Sequence, residues 1–400
     1  MHPQPSSLEP TVSFNQQSAK LWNRRLILQL LNSNEPLSRR QIAGRTGILT
    51  STVAYIVRDL LDRGQLKVRG KGPATGVGRR NILLGINPDY GWGAGISLLH
   101  THRVRVELIN SGLRRLDATT FSVDAKPERL PGELARGLHD WLEERGRPPG
   151  RFFGVGVALP GIVDVRQNFV LRSMRFGYRD FPLGERLEEL LGVPVRIERN
   201  ADAGAHAENR YGCASSLDDF VYLLMNRSAH ADGRPFYSYG ASLYLSGSVY
   251  RGAYFAAGEL DRTSMPSLDL TQAEAENLGA TLADAEAELT PLSAELAKAL
   301  GRYLVPVVDL LDPEALVLGG DCPLLNRQFL KLLEDWVQRQ TISLQARRIR
   351  ILHSRLTDTA VACGAALGIV ESGLYGRELE EIGSSGGRDP AGCANAASPE

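Results

Sequence analysis

Between residues 17 and 64 the apolar positions recur at helical spacing in three blocks. Trp22, Leu26 and Leu30 repeat every fourth residue with Ile27 and Leu31 alongside, which predicts a first helix carrying one apolar stripe. Ser38 with Gln41 three residues on has the spacing of a capping box, where the serine oxygen takes an amide that the helix leaves unpaired. A second helix is therefore predicted from Ser38, with Ile42 and Ala43 facing inward. Gly44-Arg45-Thr46-Gly47 reads as a turn, and Thr50 as the N-cap of a third helix. There Val53, Ile56, Val57, Leu60 and Leu61 keep the i, i+3, i+4, i+7, i+8 spacing of one buried face, and Gly64 ends it.

The period then changes to two. Leu66 and Val68 alternate with polar residues, and Ile82, Leu84 and Ile86 recur at every second position although Leu83 blurs the alternation, which predicts a hairpin around the basic, glycine-rich segment from Gly70 to Arg80. Three helices and a hairpin make a winged helix-turn-helix. From Gly91 onward the pattern is α/β. Strands are predicted near 93–99, 103–109, 152–158, 194–197, 220–225, 241–245 and 315–318. Helices are predicted near 127–145, 183–191, 201–211, 272–287, 291–311, 323–340 and 358–375. Residues 1–16 and 383–400 are polar or small and read as disordered tails.

Charge sharpens this division. Residues 1–90 hold 13 Lys+Arg against 5 Asp+Glu, a net of +8, and since the whole chain balances 46 against 46 the remainder carries −8. A basic head on an acidic body suits a nucleic-acid reader attached to a second domain. No apolar run reaches the roughly 20 residues of a membrane span, and the first 20 residues lack the apolar segment of a signal peptide, so the expected location is the cytoplasm. Cys213, Cys322, Cys363 and Cys393 stand far apart in sequence and form no C-x-x-C pair, so free thiols and no metal site are expected.

The apolar stripe of the third helix leaves Ser51, Tyr55 and Arg58 on the opposite face, with Thr52 beside them. Hydroxyls bond phosphates or base edges and arginine can grip guanine with two bonds, so this face suits the major groove. Arg39 and Arg40 open the second helix where a DNA backbone would cross, and Lys71, Arg79 and Arg80 in the wing suit phosphates or the minor groove. Double-stranded DNA is the expected partner.

Five further stretches carry a resemblance. They are Val155-Gly156-Val157-Ala158-Leu159-Pro160-Gly161-Ile162-Val163-Asp164, Tyr250-Arg251-Gly252-Ala253, Ala256-Ala257-Gly258-Glu259, Asp312-Pro313-Glu314-Ala315-Leu316-Val317-Leu318-Gly319-Gly320 and Gly364-Ala365-Ala366-Leu367-Gly368. In order and spacing, over roughly residues 18–375, the chain resembles the ROK family, which groups sugar-responsive bacterial repressors with sugar kinases. The resemblance implies an α/β fold: a winged helix-turn-helix followed by a two-lobed, actin-like ATPase (ribonuclease H-like) sugar-kinase body with a cleft between lobes. The implied domains are a head over 17–88, a first lobe over 89–199 completed by a C-terminal helix at 357–376, and a second lobe over 200–356.

The same comparison implies that phosphoryl transfer is lost. Kinases of the family open the body with a D-x-G-x-T-like phosphate loop, whereas here Ser97 replaces the aspartate and Leu99 the glycine. The second phosphate loop, G-T-G-I-G-like, corresponds to Met225–Arg234, which lacks that glycine spacing. The family's E-N-D-A-N becomes Glu198-Arg199-Asn200-Ala201-Asp202, so Asn200 holds the place of the general base, and an amide cannot take the proton. Asp202, two residues later, suits helix capping. The zinc-binding cysteines of many members are missing after Gly258-Glu259, and Asp261 stands near a zinc-linked histidine of the family.

The implied ligand site comprises Met174, Arg199, Asn200, Glu259 and Asp261, with no cofactor, no metal and no catalytic residue. Met174 takes the place of a sugar-binding asparagine. Glu259 suits either sugar hydroxyls or a structural ion pair. Arg199 suits either an acidic or phosphorylated sugar or a surface pair with Glu198 or Glu208. The reading is a transcriptional regulator, a repressor by preference, whose inactive sugar-kinase-like body senses a carbohydrate-related effector and forms a homodimer or homotetramer. Two others stay open: an effector-independent DNA-binding protein with a body for dimerisation only, and an active sugar kinase.

Overall fold

The computed structural model describes residues 16–32, 35–72, 81–98, 102–229, 235–259, 270–320, 326–342 and 348–376. The chain divides into two compact units, residues 1–90 with 371–400, and residues 91–370.

In the first unit, helices α1 (Gln16–Asn32), α2 (Arg39–Thr46) and α3 (Thr50–Asp62) precede the antiparallel pair β1 (Leu66–Lys71) and β2 (Ile82–Ile86). The capping box forms as expected, with Ser38 Oγ accepting from the Gln41 amide and Gln41 Oε1 accepting from the Ser38 amide. Three details differ. Helix α2 continues through Gly44–Thr46 and stops at Gly47 in a left-handed conformation, so only the glycine serves as the turn. Thr50 is the first helical residue of α3 and Leu49 precedes it without a side-chain cap, so the orphan amides there lack the expected hydroxyl. On α1 the fully buried residues are Ile27, Leu28 and Leu31, while Trp22 is 49% exposed. At about 100° per residue Trp22 lies on the side of the helix opposite the face centred on Ile27, Leu28 and Leu31, which leaves it exposed.

These buried residues pack with Ile42, Val53, Ile56, Val57, Leu60, Leu66, Leu84 and Ile86 into one core. Leu37 forms an isolated antiparallel bridge to Leu84 of β2 through two backbone bonds.

The second unit contains two five-stranded sheets of the same topology. The first holds β3 (Gly91–Ser97), β4 (Arg103–Asn110), β5 (Arg115–Ser122), β6 (Arg151–Leu159) and, after the small sheet of β7 (Ile162–Asp164), β8 (Phe169–Ser173) and β9 (Tyr178–Phe181), β10 (Val195–Arg199). Its order is β10-β6-β3-β4-β5, an antiparallel meander extended by two parallel strands. The second holds β11 (Phe220–Ala229), β12 (Pro235–Leu245), β13 (Ser248–Tyr250), β14 (Ala315–Gly319) and β15 (Arg350–His353). Its order β13-β12-β11-β14-β15 repeats the plan.

Helices α4 (Leu130–Arg145) and α5 (Leu183–Leu191) serve the first sheet, and α7 (Gln272–Ala283), α8 (Pro291–Leu311) and α9 (Arg327–Gln340) serve the second. Between the sheets lie α6 (Asn200–Tyr211) and α10 (Ala360–Tyr375), whose alanines pack with Phe220, Tyr222 and Leu224. Helix α10 ends in the first unit, where Leu374 and Tyr375 join the head core.

Strand β11 corrects the sequence reading of Met225–Arg234 as a loop. It continues to Ala229 and pairs with β12 along its whole length, Met225 opposite Tyr239 and Ala229 opposite Pro235. The polar run from Asn226 hides the strand, because its pairing partner supplies the continuity that alternation does not.

Candidate functional site

The face of α3 opposite its buried stripe is open. Ser51 and Arg58 are exposed, Tyr55 is 57% exposed, and Thr52 is half-buried. Of the basic residues expected near DNA, Arg40 and Lys71 are exposed and Arg39 is half-buried, while Arg79 and Arg80 lie outside the described residues. The structure adds a residue that sequence reasoning missed. Lys20, in the first part of α1, donates from Nζ to the Tyr55 hydroxyl at 3.2 Å and stands 5.0 Å from the ring centroid. A cation over an aromatic face holds the ring in one orientation. A basic residue near the start of α1 was the only hint of it in the sequence.

Behind this face, α3 is tied down by charge. Asp59 accepts from Arg24 of α1 at 3.1 Å and from Arg63 at 2.9 Å. The hydrophobic stripe and this pair fix α3 on its inner side, leaving the outer side for a ligand of complementary charge.

The second cluster forms where β10 runs into α6. Arg199 is 4% exposed and Asp202 1% exposed. Arg199 Nε and Nη2 donate to the two carboxylate oxygens of Asp202 at 3.1 and 3.0 Å, and Nη2 also donates to the Ala241 carbonyl at 2.9 Å. Nη1 reaches Glu259 Oε1 at 3.3 Å, and that carboxylate is 51% exposed. The expected surface partners, Glu198 and Glu208, are not those of Arg199. Glu198 accepts from Arg196 at 2.8 Å and from Arg251 at 3.3 Å, and Arg251 Nε lies 3.9 Å from Asp202. Glu208 is buried and binds the amides of Cys213 and Leu356. Asp202 is consequently an ion-pair partner rather than the helix cap expected of it; residue 199, which carries no side-chain cap, holds the N-cap position.

Burial by itself would raise the Glu198 pKa, but the guanidinium groups of Arg196 and Arg251 hold the carboxyl below its ordinary value. Arg196 and Arg251 were missed by sequence reasoning, although Arg251 falls within a stretch that carries the resemblance.

Glu259 is set by Gly258, which has φ +81 and packs so closely on β12 that a Cβ would lie 2.3 Å from the Ala241 carbonyl oxygen. Asn200 begins α6 and its Oδ1 accepts from the Ala201 amide at 2.9 Å. Met174 occupies the turn between β8 and β9 and accepts from Arg172 Nε at 3.1 Å. The adjacent Arg175, also missed, donates to Ser238 on β12 at 3.2 Å. The structure thus brings Arg199 and Glu259 into contact, and Asp261 and Leu99 lie outside the described residues. Ser97, in place of the kinase aspartate, is buried at the end of β3.

Among the described residues no group of three or more His, Cys, Asp and Glu is arranged to hold a metal ion, and no helix is long and apolar enough to cross a membrane. Cys213 and Cys363 are free, and burial pushes both thiols up to about 12.

Comparison with known proteins agrees with this geometry. The ROK family profile matches residues 101–267, and a winged helix-turn-helix DNA-binding profile matches residues 23–67. The chain is 28% identical over 252 residues to the xylose repressor of Bacillus subtilis, a match spanning 62% of this chain and 61% of that one. It is 27% identical over 389 residues to a transcriptional regulator of Mycobacterium tuberculosis, covering 88% of this chain and 86% of the relative. Among solved structures, a ROK family transcriptional regulator described as a homologue of the Escherichia coli MLC protein superposes with a TM-score of 0.70 at 19% identity, over 89% of this chain and 97% of that one. The chain thus carries a ROK family domain with a winged helix-turn-helix before it, and its fold is the mixed α/β, actin-like kinase fold of a ROK regulator structure.

Proposed function

We propose that this protein is a DNA-binding transcriptional regulator, by preference a repressor, and not an enzyme. The observation that carries the reading is the recognition face of α3: Ser51, Tyr55 and Arg58 on the side opposite the buried stripe, with Lys20 over the Tyr55 ring. Arg39, Arg40, Thr52 and Lys71 would contact the backbone or bases beside it, with Arg79 and Arg80 from the wing. The names of the repressor and regulator relatives support this assignment.

The body lacks the means of phosphoryl transfer. Asn200 cannot accept a proton, and the nearby carboxylate of Asp202 is saturated by Arg199. Its role in this reading is to sense a carbohydrate-related effector and to pair subunits into a homodimer or homotetramer. The lobes divide at residue 199, with the C-terminal helix at 357–376 completing the first, and the protein works in the cytoplasm.

The half-exposed Glu259 carboxylate, in contact with Arg199, offers acceptors for hydroxyl groups. Because Arg199 already serves Asp202, Glu259 and a carbonyl, a neutral sugar fits the site better than an acidic or phosphorylated one. The same saturation favours a second reading, in which the body is an effector-independent scaffold for dimerisation. A thermal-shift screen with neutral, amino, acidic and phosphorylated sugars separates the two, since a ligand of the folded state raises Tm by mass action. Stabilisation by a neutral sugar that Glu259→Gln abolishes supports sensing. A flat response across the panel supports the scaffold.

A further inference from the structure

The recognition helix is held from an unexpected direction. Gln65, at the junction of α3 and β1, is 2% exposed, and its backbone N–H donates to the Leu60 carbonyl at 2.9 Å. Its side-chain Nε2 donates to the carbonyl of Leu374 at 2.8 Å, near the last turn of α10. Its Oε1 accepts a short bond from Arg24 Nη2, and Arg24 Nη1 donates to Asp59 of α3 at 3.1 Å. Asn32 Nδ2 of α1 donates to the Tyr375 hydroxyl at 3.0 Å, and Leu374 and Tyr375 are buried in the head core. All these residues belong to the first unit.

We infer that Gln65 is a positioning residue for DNA reading, linking the end of α10 through Arg24 and Asp59 to the recognition helix. The physical case rests on three points. The last carbonyls of a helix have no partner within it, and Gln65 supplies one for Leu374. A buried amide with both its donor and its acceptor engaged has one orientation, since any other leaves polar groups unpaired. Asp59 adjoins Arg58 on α3, so a displacement of residues 371–375 is felt at the residues that face DNA. Base readout by paired hydrogen bonds demands a fixed helix, whereas phosphate contacts tolerate small shifts.

This inference rests on the DNA-reading role proposed above. The test uses the full chain, a duplex that the wild type selects from random DNA, and a scrambled duplex of equal length. Gln65→Leu removes both bonds, and Gln65→Glu keeps an acceptor for Arg24 while removing the donor to Leu374. Both are expected to weaken the selected duplex at least tenfold, with binding to the scrambled duplex within twofold of wild type. Gln65→Glu guards against a variant that merely misfolds, because misfolding lowers both affinities together. Equal loss on both duplexes, or wild-type preference in Gln65→Glu, would overturn the relay. Failure of the wild type to select any duplex would overturn the DNA reading and the relay with it.

Discussion

Arg199 and Asp202 form a buried, two-bond ion pair, with the guanidinium Nε and Nη2 at 3.1 and 3.0 Å from the two carboxylate oxygens. They sit at the site where the family's kinases keep the proton acceptor. The pair closes the site chemically: both oxygens of Asp202, two residues from Asn200, are taken by the guanidinium. Removing one partner leaves the other charge buried alone, which typically costs about 3–5 kcal/mol. Arg199→Ala should therefore lower the urea midpoint steeply, and Arg199→Ala with Asp202→Ala should recover part of the loss. Additive losses would show that the two side chains act separately.

A second expectation concerns acid. The Glu198 carboxyl is fully buried, yet Arg196 and Arg251 hold it below its ordinary value against the opposing effect of burial. A carboxyl with a depressed folded pKa adds stability above its unfolded value of about 4.3, and that stability disappears as pH falls toward the folded value. Urea midpoints measured between pH 7 and pH 3 should decline on the acid side, and Glu198→Gln should flatten that decline. An unchanged acid limb in the variant would remove Glu198 from the account.

Close packing gives a third. A Cβ at Gly156 on β6 would lie 1.9 Å from the Ala365 carbonyl oxygen of α10. Backbone cannot yield as a flexible side chain does, so Gly156→Ala should cost about 3 kcal/mol, the upper end for overpacked cores. Calorimetry that finds a wild-type Tm would contradict this placement of α10.

On the head, Arg58→Ala and Tyr55→Ala should each lower specific affinity by about 1–3 kcal/mol, as expected for lost base contacts. Lys71→Ala should weaken all duplexes alike and reduce the salt slope by about 1. Lys20→Ala should mimic Tyr55→Ala in part, because the lysine holds the ring through its hydroxyl and its face. A changed sequence preference in Lys71→Ala alone would reassign the wing.

Much of this architecture is legible in the sequence because local rules decide it. The Ser38–Gln41 box, the stripe from Val53 to Leu60 and the β1–β2 hairpin need only near neighbours. The strands that escape notice are short or lie at sheet edges, such as β5, β13 and β15, where no position is fully buried and the apolar signal in the sequence is weak. The candidate ligand site was legible as residue types but not as bonds. Arg199 and Glu259 are 60 positions apart, and which carboxylate a guanidinium meets is settled by the packing of β10, α6 and β12. Likewise, nothing local to Gln65 points to Leu374, 309 positions away.

The central claim is sequence-specific DNA binding, and fluorescence anisotropy of the full chain on the selected and scrambled duplexes tests it most directly. The account predicts a preference of about a thousandfold or more at physiological salt, with affinity for both duplexes falling as salt rises. Equal affinity for the two duplexes at every salt concentration would contradict it.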